Sequence, residues 1–154
     1  MGIFGVGRRI LAVAMPCLLA AIVLKVVKPD IMCIFAGRNI LLFPGLLIMV
    51  AGLAINVLSV KRMLKAFKEG KLLTDGTYAF SRHPIYSSYI LFTVPGLAVA
   101  LNSWAVLLVS PLALLMFLLT VSKEEEFLEK QFGAQYAEYK RRTGILFTIG
   151  RFKI

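Results

Sequence analysis

ILLFPGLLIMVAGLAINVLSV, residues 40–60, carries no charged side chain from end to end. About 20 consecutive apolar residues in a helix cross the hydrocarbon core of a bilayer, so this run is read as a transmembrane helix. Within it, Gly45, Ala51, Gly52 and Ala54 are small enough to let another helix approach closely. Three further apolar runs flank it, at 10–27, 86–101 and 103–122. The 10–27 run reaches spanning length if Lys25 snorkels to the surface, 103–122 is long enough as it stands, and 86–101 is short. The expected architecture is all-α: a multi-pass membrane protein with about four transmembrane helices, forming one integral membrane domain over 1–154.

Composition supports this reading. Of 154 residues, 59% are hydrophobic, and the mean hydropathy is +0.82. That exceeds what a soluble domain of this size carries. The first run follows Arg8 and Arg9 and resembles a signal peptide at first sight. No small-x-small site closes it, and Lys25, Lys28 and Pro29 follow, so it is expected to remain as a helix. Cys17 and Cys33 make no disulfide framework and are read as buried or interfacial thiols.

The net charge of +10 would suit nucleic acid, but the basic residues border apolar runs instead of covering a soluble face. With four spans, the N-terminus, the 61–85 loop and the C-terminal tail share one side. That side holds fifteen of the 18 lysines and arginines, against Lys25, Lys28 and Arg38 opposite. The positive-inside rule then puts both termini in the cytoplasm, in a cell membrane, with the lipid bilayer itself as a partner. Seven of the eight acidic residues fall on the same side, Asp30 being the exception. A pump or channel would place ionisable groups in mid-membrane; this chain gathers its chemistry at the cytoplasmic interface.

Two clusters carry that chemistry. One is the loop Leu73–Tyr86, with Asp75-Gly76 as a turn, the only histidine, His83, beside Arg82, and Pro84 suited to a helix start. The other is Glu124-Glu125-Glu126, just past the fourth span. Spans three and four form a hairpin, so the two clusters emerge together. The tail after Lys123 reads as an amphipathic cytoplasmic helix, with Leu128, Phe132, Tyr136 and Tyr139 on one face and Glu125 projecting into it. A carboxylate on an apolar stripe needs a cation or donor; a salt bridge to Arg82 or to a lysine and the capture of a ligand's polar end both meet that need. Arg82, His83 and Tyr86 converge at a helix N-terminus that attracts a carboxylate, and the glutamates opposite attract an amine, so a zwitterion fits between them. Gly2, Gly5 and Gly7 lack the strand context of a dinucleotide loop. One histidine without a C-x-x-C pair argues against zinc, and no metal is expected.

These clusters resemble a known family. Leu73-Thr74-Asp75-Gly76-Thr77-Tyr78, Arg82-His83-Pro84-Ile85-Tyr86, and Glu124-Glu125 with Leu128, Phe132-Gly133, Tyr136 and Tyr139 are similar to the isoprenylcysteine carboxyl methyltransferases, grouped with the phospholipid N-methyltransferases as integral membrane enzymes. The resemblance covers about 70–143. It implies S-adenosyl-L-methionine as cofactor, held by Tyr78, Arg82, His83, Pro84, Tyr86, Glu124, Glu125, Leu128 and Tyr136, and a lipophilic methyl acceptor. His83 and Glu125 are the candidate catalytic bases if the acceptor is an amine; a carboxylate acceptor needs none. Thr77 stands where relatives often have proline, and Ser87-Ser88 replace a commoner Leu-Gly or Leu-Ala pair, departures that touch the acceptor more than the cofactor. The alternatives are an N-methyltransferase acting on phospholipid amines, an NADPH-dependent membrane reductase, and a membrane scaffold in which Glu125 and Arg82 simply pair.

Overall fold

The computed structural model describes residues 7–35, 40–149 and 152–153. Gly2, Gly5, Arg38 and Arg151 of the motif and charge reading lie outside the described residues, as do the side chains of Arg8, Arg9 and Lys153. The described chain is almost entirely helical. Helix α1 covers Gly7–Val27 and α2 covers Leu42–Glu69. Two short helices follow, α3 at Thr77–Phe80 and α4 at Pro84–Ser88. A π-turn over Tyr89–Thr93 joins α4 to α5 at Val94–Ala100. Then come α6 at Trp104–Leu107, α7 at Val109–Phe132 and α8 at Ala134–Arg142. A two-residue antiparallel pair, β1 (Thr148–Ile149) with β2 (Phe152–Lys153), closes the described chain.

Three helical stretches are long and apolar enough to cross a membrane: Ile10–Val27, Leu42–Glu69 and Trp104–Phe132. The Pro84–Ala100 helix is apolar but shorter, as the 86–101 run foretold. Large side chains such as Leu11, Leu19, Leu47, Val50, Leu115 and Leu119 point outward. That is the surface of a protein solvated by lipid, because water would penalise it heavily.

The inside of α2 has the opposite character. Its buried residues are Gly45, Gly52, Ser59 and Ala66, one every seventh position. A strict seven-residue repeat keeps one seam facing a partner at a shallow left-handed crossing. The partner is the Pro84–Ala100 helix, running antiparallel. Gly45 abuts the backbone of Ala100, and Gly52 abuts Thr93, so seven residues up one helix match seven down the other. Gly96 completes the seam against the backbone of Met49. Of the four small residues singled out in the sequence, Gly45 and Gly52 serve this contact while Ala51 and Ala54 are exposed.

At the end of the bundle away from the charged loops, Asn102 ties two turns together. It adopts a left-handed φ of 49°, a conformation asparagine tolerates better than most residues. Its Oδ1 accepts from the backbone N–H groups of Ile34 and Phe35, and its Nδ2 donates to Phe35 O. Trp104 Nε1 donates to Ile31 O beside it. Lys25 bends past the end of α1 to Pro29 O and the Cys33 thiol, which is the snorkelling its position requires. From Trp104 to Lys123 a helix rises about 28 Å, close to the hydrocarbon thickness of a bilayer. Glu124 and Glu125 therefore lie just outside the membrane-spanning segment.

The tail differs from expectation in one respect. No separate helix begins after Lys123: α7 continues unbroken to Phe132, and the break comes at Gly133, whose φ is 53°. The apolar face nonetheless continues across the break, with Tyr136 and Tyr139 buried on α8.

A methyl group on Gly52 would lie 2.6 Å from Thr93 Oγ1 and 2.7 Å from its amide nitrogen. Gly52→Leu should therefore lower the thermal midpoint in detergent by about 5 °C or more. Ala51→Leu, one residue away on the exposed side, should change it by no more than about 1 °C. Equal shifts for the two variants would disprove the seam.

Candidate active site at the charged end of the bundle

Backbone geometry first brings the loop residues into position. His83 precedes α4 and Pro84 occupies its first turn, where the missing N–H costs nothing. The His83 carbonyl accepts from Ser87 N and Ser87 Oγ, both at 3.0 Å. Ser81 Oγ accepts from His83 N and meets Ser87 Oγ at 2.9 Å. Two serines thus fix the histidine backbone from both sides. The three departures from the family pattern are all engaged: Thr77 meets Ser59 Oγ at 2.9 Å, Ser87 holds His83, and Ser88 accepts from Asn56 Nδ2.

The last residues complete the loop. Arg82 N donates to Gly144 O, and Ser81 Oγ to Ile145 O. Tyr139 OH donates to Tyr78 O at 2.7 Å and reaches Ser81 O at 3.2 Å. Thr143 and Leu146 are buried behind them.

The two charged clusters do meet. Arg82 Nη2 lies 3.1 Å from Glu125 Oε1, and Lys140 Nζ lies 3.2 Å from Glu125 Oε2. His83 stands between the glutamates, Nδ1 3.9 Å from Glu124 and Nε2 3.6 Å from Glu125. Tyr86 OH donates to Glu124 Oε2 at 3.1 Å. The imidazole packs edge-on against Phe117, with ring centres 5.5 Å apart. Glu126 instead pairs with Lys130 on the exposed face, as its helical phase predicts.

Glu125 is 8% exposed. Burial pushes its carboxyl up, but the His83 ring, the Arg82 guanidinium and the Lys140 ammonium overcome this and bring it down to about 2. Burial raises the phenols of Tyr78, Tyr136 and Tyr139, and neighbouring carboxylates add to the effect. All three stay protonated as donors.

A cavity of about 730 Å³ opens beside these groups, within the range of small-molecule sites. Tyr78, Arg82, His83, Pro84, Tyr86, Glu124, Leu128 and Tyr136 line it, eight of the nine residues expected to hold a cofactor. Glu125 does not line it; it sits behind Arg82 and His83 and holds them. The other half of the wall was not legible in the sequence. It comes from Leu53, Asn56, Val60 and Met63 on α2, from Ile10 and Leu11 on α1, and from Tyr89, Ile90 and Thr93. Asn56, an amide within an apolar run, was the available signal. The cavity is open there because α1 packs on α6 and α7 while α2 packs on α4, the π-turn and α5.

Several buried polar atoms around the cavity have no hydrogen-bond partner among the described residues: Arg82 Nε and Nη1, His83 Nε2 and Tyr136 OH. Unmade hydrogen bonds in a dry site are costly, so a cluster of them marks where a polar ligand belongs. No group of three or more potential metal ligands occurs among the described residues.

Comparison with known proteins shows the family. The profile of the phospholipid methyltransferases matches residues 40–135, and the chain belongs to that family. A protein-S-isoprenylcysteine O-methyltransferase B of Arabidopsis thaliana is 32% identical over 47% of this chain and 36% of its own. The protein-S-isoprenylcysteine O-methyltransferase of Saccharomyces cerevisiae is 30% identical over 56% of this chain and 37% of its own. A cobalt-zinc-cadmium resistance protein, CzcN, of Cupriavidus metallidurans is 34% identical over 66% of this chain and 49% of its own. The chain thus spans between about a third and a half of these relatives. The eukaryotic intramembrane Ras methyltransferase, an isoprenylcysteine carboxyl methyltransferase, superimposes with a TM-score of 0.65 at 18% identity, over 90% of this chain and 52% of that one. The fold is therefore that of a multi-pass membrane protein of this kind.

The Glu125 ion pairs make a pH prediction. A carboxyl whose folded value lies below its ordinary 4.5 stabilises the fold above 4.5, and that contribution is lost as pH falls toward about 2. The thermal midpoint should be flat from pH 8 to 5 and fall below that. Glu125→Gln should be less stable at pH 7 and should lose part of the acid slope. An unchanged slope would show that the cluster contributes nothing to folding.

Proposed function

We propose that the chain is an S-adenosyl-L-methionine-dependent methyltransferase of the cell membrane, with both termini cytoplasmic, acting on a lipophilic acceptor such as an isoprenylcysteine-type carboxylate. The observation that carries this is one continuous cavity with two contrasting ends. At the charged end, Arg82 Nε and Nη1, His83 Nε2 and Tyr136 OH are buried with no close hydrogen bond among the described residues, and Glu124 stands opposite. That pairing suits the carboxylate and ammonium of an amino-acid moiety. At the other end Ile10, Leu11, Leu53, Val60 and Met63 make an apolar wall open between α1 and α2, suited to a hydrocarbon tail entering from the bilayer.

When bound, the cofactor supplies an electrophilic methyl group on a sulfonium. The residues of this chain hold and orient. Arg82 and His83 would take the carboxylate, Glu124 the ammonium, and Tyr78, Pro84, Tyr86, Leu128 and Tyr136 would enclose the remainder and exclude water. Alignment at near-contact distance supplies much of the rate in an in-line displacement. A carboxylate acceptor requires no base. An amine acceptor does, and Glu125, held ionised by three neighbours, is a poor proton acceptor; His83 is the group suited to it. Glu125 supports the reaction by keeping Arg82 and His83 in place.

Titration of the purified protein with S-adenosyl-L-methionine and with NADPH separates the readings. A methyltransferase binds the first, a reductase the second and a scaffold neither. His83→Ala and Glu125→Ala should each abolish S-adenosyl-L-methionine binding, the first by removing a contact and the second by releasing Arg82. Normal binding by both variants would refute the site.

A further inference from the structure

Asn56 interrupts the apolar run of α2, yet only the nitrogen of its amide is hydrogen-bonded to a described residue. Its Nδ2 donates to Ile85 O and to Ser88 Oγ, each at 3.2 Å. A carbonyl can only accept, so the Ile85 contact fixes which amide atom is nitrogen. Oδ1 must then face the other way, and no described group donates to it. Asn56 is half-buried and lines the cavity, where its neighbours along α2 are Leu53, Val60 and Met63. An amide oxygen in the lining of this cavity can accept a hydrogen bond from a donor on a ligand. A tether between α2 and α4 needs only the nitrogen.

Depth strengthens the case. The contact to Ile85 and Ser88 sets Asn56 about one helical turn below His83, on the membrane side of the charged groups. The same wall holds Tyr89, whose buried hydroxyl also lacks a partner among the described residues. Polar atoms without partners, set among apolar side chains next to a charged site, are what orient the head of an otherwise greasy molecule.

We propose that Asn56 is a specificity-determining residue: its Oδ1 accepts a hydrogen bond from an N–H or O–H on the head group of the lipophilic acceptor, and so selects molecules that carry such a donor. This rests on reading the apolar half of the cavity as the acceptor site. It adds which wall atom reads the head group and what chemistry that atom demands.

The test uses two neutral probes that differ only in the donor, farnesol and farnesyl methyl ether, bound to the full chain in lipid nanodiscs without cofactor. The wild-type protein should hold farnesol about tenfold more tightly. Asn56→Leu should erase that preference, and Ser88→Ala, which leaves Oδ1 in place, should keep it. If Asn56→Leu does not fold, Asn56→Val repeats the measurement. Equal affinities in the wild type, or a preference that survives loss of the amide, overturns the proposal. A parallel titration with S-adenosyl-L-methionine keeps the two readings apart. Cofactor binding without the farnesol preference removes the role of Asn56 alone. The preference without cofactor binding removes the methyltransferase and leaves the recognition site.

Discussion

Close backbone contact along one seam of α2 underlies the rest of this molecule. In lipid, apolar side chains gain nothing by leaving their surroundings for a neighbouring helix, so helices associate through contact at short range. Gly45 and Gly52 provide that contact, two turns apart, against Ala100 and Thr93, and Gly96 returns it against Met49. Because the Pro84–Ala100 helix is too short to anchor itself securely, its position is inherited from α2. His83 and Arg82 lie at its entrance, and their placement against Glu124 and Glu125 follows from this seam. The glycines thus govern the charged site from within the membrane, without touching it.

The charged cluster obeys a different rule. Buried charges are tolerated only where partners and hydrogen bonds are supplied, and Glu125 has Arg82, His83 and Lys140 around it. The cluster joins three parts of the chain: the loop before α4, the end of α7 and the last turn of α8. Its charges are not all consumed internally, since Arg82 retains Nε and Nη1, both buried, with no hydrogen-bond partner among the described residues.

Much of this was legible in the amino-acid order, and the exceptions have physical reasons. Uncharged runs of spanning length announce themselves, because a bilayer leaves few other options. Burial of Glu125 and exposure of Glu126 followed from a 100° step per residue, which holds whether or not a helix begins at Lys123. The continuity of α7 through Glu124 was hidden because a switch from apolar to charged residues looks like an end, although a helix crossing an interface keeps its hydrogen bonds. The α2 and α1 walls of the cavity were hidden for another reason. They arise where two helices fail to pack on each other, and a gap leaves no periodic trace. Contacts made through backbone carbonyls, such as Gly144 to Arg82, are equally silent in side-chain identity.

That contact between Arg82 and Gly144 has a consequence for biosynthesis. The loop carrying Arg82 and His83 leaves the ribosome some sixty residues before the carbonyls of Gly144 and Ile145 that hold it. The membrane helices can insert in the order of their synthesis, but the pocket cannot close in that order. Until the tail folds back, the loop lacks the carbonyls of Gly144 and Ile145, and Glu125 lacks Lys140. Maturation of the site is therefore a late and concerted event, timed by the arrival of the residues that touch it last.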